Sequence, residues 1–201
     1  ILKYYNVFSA DDIEGIDFKT VKIKPKKEEE KIEIAESIIN SMPKAPIIKK
    51  QGTEAFYLPS KDVVNVPKIT TFKTPQAYYS TLFHELVHST KHPKRLNDNT
   101  RGGKKFGDKE YSREELVAEL GASFLNAEAG ILHYNLKNSA AYLKGWRKRL
   151  LQFMKEDNKF FFRAASKAQA AFNIGLFIDR YFNWPLCLQF DHCCASGGNY
   201  S

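Results

Sequence analysis

The sequence predicts an α+β fold, a small mixed sheet followed by a mostly helical subdomain. Three observations predict it. Short apolar runs, "APIIKK", "AFYLP" and "DVVNVP", fall within residues 45–67 and are broken by Gly52, Pro59 and Pro67. From Thr74 onward, apolar residues recur at helical spacing over long stretches. A length of 201 residues with 43% hydrophobic and 13% aromatic content is enough for one globular core and excludes a disordered chain.

Taken in order, "LKYYNVFS" at residues 2–9 is aromatic and β-branched enough for a strand. Residues 19–31 form a charge-rich, solvated loop that enters a helix over 28–42, where Ile34, Ile38 and Ile39 make a core-facing stripe. The three apolar runs are strands of one sheet. Thr74 and Pro75 then start a helix, a capping hydroxyl followed by proline at the first helical position. This helix is expected to end near Pro93. Residues 97–110 are polar and Gly-rich, a loop. Ser112 is expected to open a second helix closed by Gly130. Asn138 or Ser139 is expected to open a third, and residues 159–182 form a fourth.

Residues 1–182 read as the folded unit, and residues 183–201 as a tail of atypical composition. All three cysteines, Cys187, Cys193 and Cys194, lie in that tail, which argues against a disulfide framework and fits a reducing, cytoplasmic compartment. His192 beside the adjacent Cys193 and Cys194 lacks the two-residue gap usual in metal sites, so the tail reads as a plain terminal segment. No apolar run approaches the roughly 20 residues needed to cross a bilayer, and no membrane partner is expected. No leader is visible, and the first residue is Ile, so a preceding segment is expected. The net charge of +8 permits a nucleic-acid partner without requiring one.

The chemistry concentrates in "TLFHELVHST", residues 81–90, which carries H-E-x-x-H. Positions i and i+4 share a helix face, so His84 and His88 can aim two imidazoles at one ion. Glu85, one step on, can hold a water beside that ion without ligating it. A catalytic zinc takes three protein ligands and keeps one position open. His92 does not supply the third, because His84 and His92 are about 12 Å apart along a helix. Lys91 and Lys94 occupy the positions where an extended H-E-x-x-H-x-x-G-x-x-H pattern has Gly and His. The third ligand is therefore expected from "REELVAEL". Glu115 and Glu119 are four apart and share a face, with Glu115 the ligand and Glu119 accepting a hydrogen bond from the free N–H of a ligating histidine. A competing reading makes Ser112 and Glu115 a capping box; beside the histidine motif, the ligand reading is preferred.

This constellation points to hydrolysis with Glu85 as general base. His133, Tyr134 and Tyr142 are candidates for an oxyanion partner, and "DVVNVP" for a strand edge on which an extended peptide pairs. Lys91, Lys94, Arg95, Arg101, Lys104 and Lys105 cluster after the motif helix, a candidate nucleic-acid contact or a solvated loop.

"YYNVF" with "IEG", "AFYLPSKDVVNVP", "YYSTLFHELVHST", "HPKRL", "YSREELVAELGASFL", "NSAAYLKGW" and "AASKAQAA" occur in this order. In that order they resemble the C-terminal zincin-like metallopeptidase domain of ArdC-type antirestriction proteins. The same domain occurs in polyvalent proteins of phages and conjugative elements. The resemblance covers roughly residues 1–180. It implies a zincin-like α+β fold, zinc (or another divalent ion) at His84, His88 and Glu115, a catalytic Glu85, and a protein or peptide substrate. It also implies a preceding single-stranded-DNA-binding domain, with residues 1–15 as its end. Lys91 departs from the family, which usually has Gly there, and the tail after about Phe182 has no counterpart in it. The alternative function is a DNA-associated antirestriction module whose metal site is structural or inactive.

Overall fold

The computed structural model describes residues 13–15, 28–100 and 109–175. Their elements are α1 (Glu28–Ser41), β1 (Ile47–Lys50), β2 (Phe56–Leu58), β3 (Val63–Val66), α2 (Pro75–Ser89), α3 (Lys109–Glu128), α4 (Leu132–Glu156) and α5 (Phe160–Gly175). The expected strand at 2–9, most of the loop at 19–31 and the tail lie outside the described residues.

The sheet has the order β1-β3-β2, with β1 parallel and β2 antiparallel to β3. All four residues of β3 are buried, as a central strand requires. Asn65 is tolerated there because its side-chain amide donates to the carbonyls of Gln51 at 3.0 Å and Glu54 at 2.7 Å. This corrects the sequence expectation for "DVVNVP": β3 is paired on both sides, and the free edge on the cavity side belongs to β2.

α2 starts as its sequence dictates. Thr74 Oγ1 accepts from the Ala77 N–H at 3.2 Å, and Pro75 occupies the first turn. It ends at Ser89, four residues before Pro93. The chain then closes a tight turn, with Leu96 N–H donating to the Thr90 carbonyl at 2.9 Å. α3 begins at Lys109, so Ser112 is not its cap: it is buried inside the helix, and its hydroxyl has no partner among the described residues. The capping reading of Ser112 and Glu115 therefore falls. Gly130, at φ 75°, closes α3 as expected.

α4 begins at Leu132, not at Asn138 or Ser139. Its start is fixed by tertiary contact: Asn135, buried, donates to the Gln76 carbonyl at 3.2 Å and ties α4 to the first turn of α2.

The core lies between the sheet and the helices, with Val64, Val66, Tyr78, Leu82, Phe83, Val87, Val117, Leu125, Ile131 and Phe160 among its buried side chains. α2 and α3 meet very closely. A Cβ placed on Gly121 would sit 2.9 Å from both methyls of Val87. Among the described residues, no helix is long and apolar enough to cross a membrane.

Candidate metal centre

His84 and His88 are one turn apart on α2, and their Nε2 atoms are 3.1 Å apart. Glu115, from α3, places Oε2 3.6 Å from His84 Nε2 and Oε1 3.6 Å from His88 Nε2. Among the described residues these three form a group whose ligand atoms all lie within 4.8 Å of one another. A tetrahedral ion with bonds of about 2.1 Å needs donors about 3.4 Å apart. The donors therefore fit a divalent cation.

The other ring nitrogens are occupied. His84 Nδ1 lies 3.3 Å from Glu119 Oε2, and His88 Nδ1 lies 2.8 Å from Glu114 Oε1. Each carboxylate favours the proton on Nδ1, which leaves the Nε2 lone pair facing the cage. Glu114 is the partner that sequence reasoning missed. The pattern pointed to Glu115 and Glu119, because they share a face, and offered no role for their neighbour. Glu114 Oε1 also accepts from Lys91 Nζ at 3.2 Å.

Glu85, Glu114, Glu115 and Glu119 are all buried. Burial opposes a charge on His84, but hydrogen bonds to Glu115 and Glu119 and the charges of Glu85 and Glu115 outweigh it and push His84 up to about 10. The cage thus favours positive charge at this point. Burial raises the Glu85 carboxyl above its ordinary value, against the opposing pull of His88 and His84. Burial also acts to raise Glu119, but hydrogen bonds with His84 and Ser139 win and hold it low.

These groups line a cavity of about 640 Å³, whose walls include Phe56 and Tyr57 of β2, Ser80 and Thr81 of α2, Tyr111 of α3 and Ser139 of α4. The Tyr57 backbone on the cavity wall favours the charged form of the Glu85 carboxylate, against the effect of burial. Tyr111, another residue missed from sequence, is hydrogen-bonded to Glu115. Burial, then the nearby Glu115, raises its phenol to about 12, so it stays a neutral donor. Its spacing of four from Glu115 was the available signal.

The other expected residues lie apart from the cage. His133 and Tyr134 are exposed on the first turn of α4, rings 3.8 Å apart, and neither lines the cavity. The Tyr142 side chain lies outside the described residues, as do Arg101, Lys104 and Lys105. His92 stands 3.7 Å from Asp62 Oδ2, in the turn after α2. Lys94 is exposed. Arg95 corrects the basic-cluster reading. Its side chain is only 1% exposed, paired with Asp62 and donating to the carbonyls of Ser89 at 2.8 Å and Lys44 at 2.6 Å. A guanidinium so engaged is a structural clamp, not a surface for phosphates.

Residues 33–167, which include His84, Glu85, His88 and Glu115, match the family described as zincin-like metallopeptidase. The Mn(II)-bound crystal structure of the antirestriction ArdC protein from plasmid R388 aligns with a TM-score of 0.64 at 32% identity, covering 87% of this chain and 62% of that one. The metal-free structure of that protein gives a TM-score of 0.59 at 30% identity, over 84% and 57% of the two chains. DNA primase TraC of Escherichia coli is 34% identical over 168 residues, 83% of this chain and 11% of that protein. Protein y4eC of Sinorhizobium fredii is 32% identical over 165 residues, 82% of this chain and 50% of that protein. The chain spans half or less of the length of these curated relatives. Fold and donor set together indicate a divalent metal site.

Proposed function

The chain belongs to the zincin-like metallopeptidase family, and from that premise we propose that it hydrolyses peptide bonds with zinc at His84, His88 and Glu115 and with Glu85 as general base. The observation that carries the reading is the convergence of two Nε2 atoms and one carboxylate at 3.1–3.6 Å. This cage stands beside a buried glutamate in an accessible cavity.

Zinc, when bound, polarises the scissile carbonyl and acidifies water. The chain's own groups do the rest. Glu114 and Glu119 hold the two imidazoles with Nδ1 protonated. Glu85, its carboxyl raised by burial, accepts a proton from the attacking water as the C–O bond forms. It returns that proton to the nitrogen as the C–N bond breaks. Tyr111, kept neutral, turns its single O–H from Glu115 to the oxygen on which negative charge develops. The free edge of β2 aligns an extended peptide along the cavity wall. ArdC is named for antirestriction and comes from a plasmid, which favours a protein substrate met during DNA transfer, inside a cell.

Glu85→Gln tests the reading. It should keep zinc and lose hydrolysis of a denatured protein substrate by about 10²-fold or more. Unchanged turnover would overturn it. A second reading, a DNA-associated antirestriction module with an inactive metal site, is favoured by the names of the relatives, antirestriction protein and DNA primase. It predicts a wild-type chain that holds metal and cleaves nothing.

A further inference from the structure

α4 carries Lys137, Lys144, Arg147, Lys148, Arg149 and Lys155 against a single acid, Glu156. That is a net +5 on one helix, of the formal +8 of the whole chain. The single acid is offset in turn, since Glu156 lies 3.6 Å from Lys109.

The charges are ordered. Lys137, Lys144, Lys148 and Lys155 are spaced by seven, four and seven, which at 3.6 residues per turn puts them within about 20° of one direction. All four are exposed, and none of them forms an ion pair among the described residues. The opposite face is committed to the fold. Leu143, Leu150 and Phe153 pack on the core, and Trp146 faces Tyr111 with ring centroids 5.8 Å apart. The four ammonium groups thus form one row about 27 Å long on the outer side of a fixed helix, with successive gaps of about 10, 6 and 10 Å.

We infer that this lysine row binds the phosphate backbone of a nucleic acid. A linear polyanion with closely repeated charges complements a straight row of cations and releases counterions on binding. Insertion into a bilayer is disfavoured, because the apolar side of α4 is already buried in the protein. Ser139, on the inner side of α4, lines the cavity. A nucleic acid lying on the outer side would therefore leave the cleft open. The inference stands independently of peptide hydrolysis, since no member of the row belongs to the cage.

The test uses the full 201-residue chain, with fluorescence anisotropy of a labelled oligothymidylate and of a labelled duplex. If four lysines each neutralise one phosphate on a single strand, affinity falls by about fifty-fold between roughly 50 and 200 mM salt. Changing Lys137, Lys144, Lys148 and Lys155 together to Gln should remove most of that slope and weaken low-salt binding by about tenfold or more. A matched set on the sheet side, Lys49, Lys61, Lys68 and Lys73 to Gln, makes the same change in net charge and should leave binding within about threefold. Three results would each overturn the inference: no binding of either oligonucleotide at low salt, equal loss in both variant sets, or binding to phosphatidylserine vesicles without binding to oligonucleotide. Thermal melting and zinc uptake of the variants report folding and the cage separately.

Discussion

His88 Nδ1 lies 2.8 Å from Glu114 Oε1, and the same oxygen accepts from Lys91 Nζ at 3.2 Å. One buried carboxylate thus orients an imidazole and anchors Lys91, two residues beyond the end of α2. Removing it frees the ring to rotate and leaves its N–H without a partner. Glu114→Ala should lower zinc affinity by about 10- to 100-fold, read by competition with a chromogenic chelator. Unaltered affinity would show that the ring is held by packing alone.

The cage joins α2 to α3, so an ion there binds the folded chain and not the unfolded one. At a concentration a hundred times its dissociation constant, zinc or manganese should add about 2.7 kcal/mol. For a chain of this size that is a rise in melting temperature of about 5–11 °C. Calorimetry with and without chelator reads it. Glu115→Ala should abolish the rise; a rise that survives in that variant would place the ion elsewhere.

Arg95 and Asp62 give a pH-dependent prediction. Burial acts to raise Asp62, but its bonds to Arg95 and Tyr57 prevail and hold it below its ordinary value of 3.8. A carboxylate depressed by folding stabilises the protein above its ordinary value, and that contribution is lost as pH falls through the folded one. Asp62→Asn should therefore lower the urea midpoint at pH 7, with the gap from wild type closing below about pH 4. Arg95→Ala, which leaves Asp62 only the Tyr57 hydroxyl and the nearby His92 and Lys94, should cost about 1–3 kcal/mol. A gap that persists unchanged in acid would exclude the ion pair as its source.

Gly121 allows the close approach of α3 to α2. Gly121→Ala would put a methyl 2.9 Å from both Val87 methyls, and the helices must part to admit it. The expected loss is about 1–3 kcal/mol in chemical denaturation. Zinc affinity should fall with it, because Val87 adjoins His88 on α2. If stability drops while affinity holds, the cage is less dependent on this contact than its position suggests.

Much of this was legible in the chain wherever the determinants are local. The cap at Thr74 and Pro75, the three short strands, and the shared face of Glu115 and Glu119 are each written within a few residues. What was not legible depends on distant partners. α4 starts at Leu132 because Asn135 reaches Gln76, 59 positions away. Arg95 is a clamp because Asp62, 33 positions earlier, receives it. Glu114 has a role only once His88 stands beside it. The free edge belongs to β2 and not to β3, because an apolar run shows that a strand is buried but not which neighbour it takes.

The Val87–Gly121 contact has one more consequence. With the Val87 methyls seated directly on the Gly121 backbone, the separation of α2 and α3, and with it the bite of the cage, is set by the protein interior. A seat of fixed bite sorts divalent cations by radius and preferred geometry, so the spacing of the donors decides the guest along with their chemistry.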